Sequence, residues 1–369
     1  MAVRVIRKVV KKVFIIITSS IAGLFLLSCL QPFLNPAHWW FMGFLGLMVP
    51  YLVFLLVFSV FFWWVIRPVY SLIPILALVI GYQQLSVLFA VNRNYTFIEK
   101  KQAGHIRLVD WNIRSFEGLS NQNEKKKFDR VSVAEVILSQ NPDIVCLQQF
   151  NHSDGQNNLG LFSKRFPYHY FSKDFERSNL GYLAGSIIFS RFPLVDSGKL
   201  KYPGKLGESL IYADVATGED TIRVYTTHLQ SFQFDEKDYQ GMEQIKNTDD
   251  KALDASLNLI QKMKRAFTRR GQQAQIVRRA LDSSQHPSII CGDFNDVPNS
   301  YTYYHIRKNW QDVFLKTSMG IGRTFLALAP TLRIDYILPD NNFKIHQFDM
   351  VDEGLSDHLM LVTDISLDR

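Results

Sequence analysis

The chain has 369 residues, 47% hydrophobic and 20% charged, with a formal net charge of +7. Of its 41 Lys/Arg and 34 Asp/Glu, residues 1–100 hold eight and one, so the remainder balances at 33 of each. The excess base belongs to the N-terminal segment and gives the rest no general footprint for nucleic acid. Three cysteines, Cys29, Cys146 and Cys291, form neither a disulfide framework nor a CxxC metal knuckle.

After the basic tail "RVIRKVVKK" come three uncharged runs, 13–30, 39–66 and 68–91. About 20 apolar residues cross a bilayer, so the runs predict three transmembrane helices at about 13–34, 41–65 and 69–91, within a membrane region at 1–95. Trp39, Trp40, Trp63 and Trp64 bracket the second run as an interfacial belt does. Five Lys/Arg precede the first span and Arg67 separates the second from the third. That bias puts the N-terminus in the cytoplasm and residue 92 onward on the other, periplasmic or extracellular, side of a plasma or inner membrane. A second reading takes "LLSC" at Cys29 as a lipoprotein-like processing site, and it also exports the downstream domain. The spans carry no ionisable residue of the kind that marks a transport pathway.

From about residue 104 short β-type runs alternate with helical segments, predicting one α/β domain over 101–369. Helices are expected over 124–139 and 246–283. Residues 232–283 form a long polar excursion. Within it "IQKMKRAFTRR" is basic and amphipathic, read either as a solvated helix face or as a surface helix against an anionic bilayer or substrate.

Polar residues recur where strands end. Asn112 follows "LVDW", His228 follows "VYTT", and Asp293 and Asn295 follow "IICG". Asp335 lies in "RIDYI", and Asp357 and His358 in "LSDH" precede the final strand. Strand ends collect active sites, and this set offers oxygen ligands for a hard divalent ion beside two imidazoles. Histidine and carboxylate together suit activation of a water near such an ion.

In order, "DWNIRSF", "PDIVCLQQF", "AGSIIFSRFPL", "YTTHLQS", "GDFNDVPNS", "RIDYIL" and "LSDH" resemble the motifs of the endonuclease/exonuclease/phosphatase (DNase I-like) superfamily over about 104–369. The resemblance implies a four-layer α/β sandwich, two mixed sheets face to face with helices outside, that hydrolyses phosphoester bonds with Mg²⁺ or Mn²⁺. Carried over by position, Asn112 resembles the asparagine near metal and phosphate, and His228 the histidine that contacts phosphate. Asp293 and Asn295 match the pair that engages the attacking water, metal or phosphate. Asp335 is similar to the carboxylate that orients the last histidine, and Asp357 to a metal ligand. His358 would be the general base or the imidazole that stabilises the phosphate.

The second motif of that family reads "LQE", with the glutamate as principal metal ligand, where this chain has Gln149. The change removes one negative charge facing a dication, worth a few kcal/mol at ~4 Å and intermediate effective dielectric. Either Asp357, Asp293 or a nearby acid such as Asp143 or Glu117 compensates, or the domain binds phosphate without turnover. The expected partners are a phosphoester substrate, nucleic acid or a phospholipid or small phosphodiester, and the lipid bilayer; no protein partner is expected.

Overall fold

The computed structural model describes residues 2–92, 97–116, 130–178, 181–204, 208–246 and 252–368. They divide into two compact units, one drawn from 1–89, 232–271 and 297–304, the other from 90–231, 272–296 and 305–369.

In the first unit, α1 (Ala2–Ser28) and α2 (Met42–Ile66) run antiparallel. Phe14 stacks on Phe62 with ring centroids 5.0 Å apart, and the buried Trp63 donates its indole N–H to Thr18 Oγ1 at 2.9 Å. Apolar residues surround α2 on all sides, as expected of a helix whose outer face meets lipid rather than water. The third expected span is not one helix. After a 3₁₀ turn at Pro68–Ser71, α3 (Leu72–Ile80) and α4 (Tyr82–Leu88) meet at a 65° bend. The break falls at Gly81, where the ring of Phe25 fills the space a Cβ would need. Two helices, Val5–Ser28 and Met42–Ile66, are therefore long and apolar enough to cross a membrane, and a third span exists only if the bent pair is counted as one.

The second unit begins with β1 (Ala90–Val91), β2 (Ile106–Asn112), α5 (Arg130–Ser139), β3 (Ile144–His152) and α6 (Gly160–Ser163). It continues through β4 (Tyr168–Phe171), β5 (Phe175–Arg177), β6 (Tyr182–Ser190), β7 (Leu194–Lys201), β8 (Ser209–Ala216) and β9 (Thr221–His228). The excursion then folds as α7 (Glu236–Lys246) and α8 (Ala252–Asp282). Beyond it come β10 (Ser288–Asp293), α9 (Tyr301–Arg307), α10 (Val313–Thr317), β11 (Met319–Gly320), β12 (Asp335–Pro339), β13 (Phe343–Val351) and β14 (Met360–Leu367). The start of the helix expected over 124–139 lies outside the described residues; α5 supplies its remainder.

One sheet has the order β13-β14-β2-β3-β6-β4, with β5 also on β6, and the other β12-β10-β9-β8-β7. Both are mixed: β2 pairs parallel with β3 and β9 parallel with β10, and antiparallel neighbours flank them. Their central strands are apolar on both faces because both faces are covered. Leu108, Ile144, Cys146 and Ile188 from the first sheet meet Ile211, Val224, Ile289 and Cys291 from the second in one core. On the outer side of the first sheet, Val109, Trp111, Val145 and Leu147 pack against Val133, Ala134 and Ile137 of α5. Outside the second, the Tyr225 hydroxyl donates to the Ala280 carbonyl of α8 at 3.0 Å. The result is the expected four layers, helix on sheet on sheet on helix.

The excursion's N-terminal part belongs to the first unit. Phe267 of α8 lies edge-on to Phe44 at 5.3 Å and fills the space over Gly43. The Lys264 ammonium sits 5.0 Å from the Trp40 ring centroid, and Gly271 packs against Asn35 and Pro36.

Candidate active site

The parallel pairs fix where the chemistry collects. Asn112 ends β2, His228 ends β9 and Asp293 ends β10, with His228 and Asp293 in register. Asp335 opens the antiparallel β12 directly opposite Asp293, and His358 immediately precedes β14, the neighbour of β2. One end of both sheets thus gathers these side chains into a single cluster, as strand ends do in α/β enzymes.

Asp293 is its centre. Its Oδ2 accepts from Asn112 Nδ2 at 3.0 Å and lies 3.5 Å from His228 Nε2 and 3.8 Å from His358 Nε2. Its Oδ1 accepts from the Asn295 backbone N–H at 2.7 Å. The Asn295 side chain donates to the Leu229 carbonyl at 3.0 Å and so ties the end of β10 to the end of β9. His358 presents Nδ1 to both Asp335 oxygens at 3.0 Å, which fixes the ring's tautomer and leaves Nε2 toward Asp293. The backbone N–H groups of Ile334 and Asp335 both donate to Thr324 Oγ1, and Trp111 Nε1 donates to the His358 carbonyl at 2.8 Å.

Burial pushes the Asp293 carboxyl up to about 7, with the Asp335 charge adding to it and His358, Asn112 and Asn295 opposing it. Burial alone disfavours a charged His358. The charges of Asp335, then Asp293, and the Asp335 hydrogen bond outweigh it and raise the ring to about 9. His358 therefore carries a proton at neutral pH.

Asp357 is half-buried and pairs with the Arg114 guanidinium at 3.5 Å. Gln149 leaves the sheet differently from its neighbour. The register of β3 against β6 shifts between Leu147 and Phe150, and Gln149 adopts φ +54°. This bulge turns Gln149 into a cleft lined also by Ser115, Asp174, Arg177, Glu208 and His228. Gln148 does not face that cleft. It is buried between the sheets, donating to Asp110 Oδ1 at 2.7 Å and Thr226 Oγ1 at 2.9 Å.

Of the acids considered as compensation for Gln149, Asp143 lies at the opposite end of β3. There it accepts from the Arg107 backbone N–H and the Arg191 guanidinium, both at 2.9 Å. Glu117 lies outside the described residues. The residue that sequence reasoning missed is Glu208, whose Oε1 is 3.2 Å from His228 Nδ1 and which lines the cleft with Gln149. Its only signal is an acid just before the apolar run of β8; its meeting with His228 depends on the β8–β9 register.

Among the described residues, the His/Cys/Asp/Glu group close enough to hold a metal is Asp293, Asp335 and His358, with ligand atoms within 4.8 Å of one another. Two buried carboxylates share one imidazolium there, and Asp357 adds a third acid beside it. Surplus buried negative charge with carboxylate, carboxamide and imidazole donors fits a hard divalent cation.

A family model described as the Endonuclease/Exonuclease/phosphatase family matches residues 111–358, and one described as a domain of unknown function matches 11–88. No curated protein matches the chain. Among solved structures, an endonuclease/exonuclease/phosphatase from Beutenbergia cavernae DSM 12333 is 21% identical, with TM-score 0.52, 71% of this chain and 72% of that one covered. The human Nocturnin catalytic domain with bound sulfate anion is 20% identical, with TM-score 0.50, 72% and 95% covered. At these identities the two structures speak for the fold alone. The family match spans the whole strand-end cluster, from Trp111 to His358, and on that match the chain belongs to the endonuclease/exonuclease/phosphatase family.

Proposed function

We propose that the chain is a membrane-anchored phosphodiester hydrolase of the endonuclease/exonuclease type, in which a membrane region at 1–95 holds a catalytic domain at 101–369 outside the cytoplasm. The observation that carries the catalytic reading is the Asp335–His358–Asp293 arrangement, with Asp335 hydrogen-bonded to His358, Asn112 and the Asn295 backbone hydrogen-bonded to Asp293, and His228 3.5 Å from Asp293. The topology rests on the basic tail. Lys11 and Arg67 both lie over the Tyr70 ring, at 5.6 and 5.8 Å, so the positive charges share one end of the helix pair.

Asp357, Gln149 and Asn112, with Asp293 beside them, would hold Mg²⁺ or Mn²⁺. When bound, the ion supplies charge neutralisation at the phosphoryl oxygens and lowers the pKa of a water. The protein groups do the rest. Protonated His358 donates from Nε2 to a non-bridging phosphate oxygen, and Asp335 keeps that proton in place. Asp293, raised to about 7, accepts the proton of an attacking water. Asn112 holds Asp293 by its hydrogen bond, and His228, backed by Glu208, donates to the phosphate or to the leaving oxygen.

A phospholipid or small phosphodiester is the second reading of the substrate. It is favoured by the acids Asp174 and Glu208 in the cleft, which repel a long polyanion. The test uses the full chain in detergent with Mg²⁺ or Mn²⁺, offered DNA and phospholipid vesicles, and Asp293→Ala as background. Turnover of DNA that falls steeply with salt supports the nuclease reading, and turnover that needs vesicles supports the lipid one. Ligand binding with no turnover above Asp293→Ala makes the domain a silent phosphate binder and overturns the proposal.

A further inference from the structure

The excursion between β9 and β10 has no role in the cluster just described, yet one stripe along α8 is built in two halves. Leu253, Leu257, Ile260, Lys264, Phe267 and Gly271 follow one another at intervals of three or four, so they share a helix face. The C-terminal half of the stripe meets the start of the α2 hairpin: exposed Lys264 lies beside Trp40, while Phe267 is covered by Gly43 and Phe44, and Gly271 by Asn35 and Pro36. The N-terminal half is bare, with Leu253, Leu257 and Ile260 exposed by 70%, 50% and 41%. The same unit carries other exposed apolar residues: Trp39 and Phe41 just before α2, and Met48, Tyr51 and Phe54 on it.

We propose that the N-terminal half of α8 lies in the interfacial layer of the bilayer, with Leu253, Leu257 and Ile260 dipping into lipid on the side opposite the basic tail. The inference rests on the reading of α1 and α2 as membrane spans. Lipid is the occupant because the stripe meets the aromatic belt at its midpoint, where the Lys264 ammonium lies 5.0 Å from the Trp40 ring centroid, and such a belt marks headgroup level. Burying three large aliphatic side chains in lipid instead of water is favourable. Charge agrees: the Lys264 ammonium, at the junction of the two halves, is exposed where anionic headgroups would meet it. Lys262, on the opposite face, is held by Asp235 and Asp238.

The test places single cysteines for an environment-sensitive dye in a Cys29→Ser background, where the remaining thiols, Cys146 and Cys291, are buried. Full-length protein is reconstituted into phosphatidylcholine–phosphatidylglycerol vesicles and quenched either by lipids brominated on the acyl chain or by aqueous iodide. Leu257→Cys should be quenched by brominated lipid at least about twofold more than Asn258→Cys on the polar face, and iodide should reverse the order. Phe54→Cys, on the exposed face of α2, reports the spans themselves. Lipid quenching at 54 without quenching at 257 overturns this inference alone; no lipid quenching at 54 overturns the membrane reading beneath it. A dye at 257 shielded from both quenchers means that protein, not lipid, covers the stripe, which also overturns the inference.

Discussion

On the proposed reading, Gln149 would tune how strongly the site holds a dication. The bulge that turns it into the cleft is backbone geometry, and a glutamate would occupy the same place with one more charge. Gln149→Glu should therefore tighten Mn²⁺ binding by ~10- to 100-fold, the equivalent of a few kcal/mol at intermediate dielectric, read by calorimetric titration of the full chain. Unchanged affinity would mean that Glu208 or Asp357 already supplies that charge. For His358 the sign is set by the acids around it: a raised pKa means the proton is present below about 9 and lost above it. Asp335→Asn removes the largest raising charge, so the alkaline limb of kcat should fall from near 9 toward the ordinary histidine value of ~6.5, with kcat down ~10²-fold or more. An alkaline limb that stays near 9 would remove His358 as the proton donor. These two residues also show what the sequence makes legible. Polar residues that border apolar runs declare themselves as strand ends, so Asn112, His228 and Asp293 after such runs, and His358 before one, could be picked out before any coordinates. Gln148 and Gln149 could not be told apart, because which of two adjacent amides enters the cleft depends on a bulge.

At the scale of the element, β10 shows how a strand delivers its last residue. Gly292 has φ +132°, and a Cβ there would collide with the Thr227 carbonyl oxygen of the adjoining β9. Gly292→Ala should cost roughly 1–3 kcal/mol and displace Asp293, lowering both the thermal midpoint and turnover. A variant of unchanged stability and rate would show that the backbone has room to spare. Between the sheets, Asp110 is fully buried, with Oδ1 bonded by Gln148 and Oδ2 without a partner, and burial raises its pKa well above the carboxylate range. A carboxyl raised in this way favours the folded state while protonated, and its contribution is lost as pH rises through the folded pKa. Asp110→Asn lacks that loss, so its midpoint relative to the parent should climb as pH rises above the ordinary carboxylate value of ~4. A pH-independent difference would mean that Asp110 does not titrate in that range. Register is what the sequence hides at this scale. The meeting of Glu208 with His228 follows from the pairing of β8 with β9, and the third apolar run bends at Gly81, where Phe25 packs, neither of which leaves a mark on hydropathy.

For the whole molecule, apolar length made two of the three expected spans legible as helices long enough to cross a membrane, and the ordered motifs made the four-layer sandwich legible. The excursion was legible only as amphipathic, because its partner, residues 35–44, lies more than two hundred positions away in the chain. Topology gives a direct prediction. With a membrane-impermeant thiol reagent on intact cells, Glu176→Cys on the exposed β5 should label and Arg7→Cys should not; the reverse pattern would invert the orientation. The central claim is that the Asp293–Asp335–His358 cleft hydrolyses phosphodiesters despite Gln149. Its most direct test is the rate at which the full chain hydrolyses a chromogenic phosphodiester with Mn²⁺, set beside Asp293→Ala and His358→Ala. The account predicts turnover in the parent that falls by ~10²-fold or more in each variant. Equal rates in all three, at any pH between the two pKa values, would contradict it.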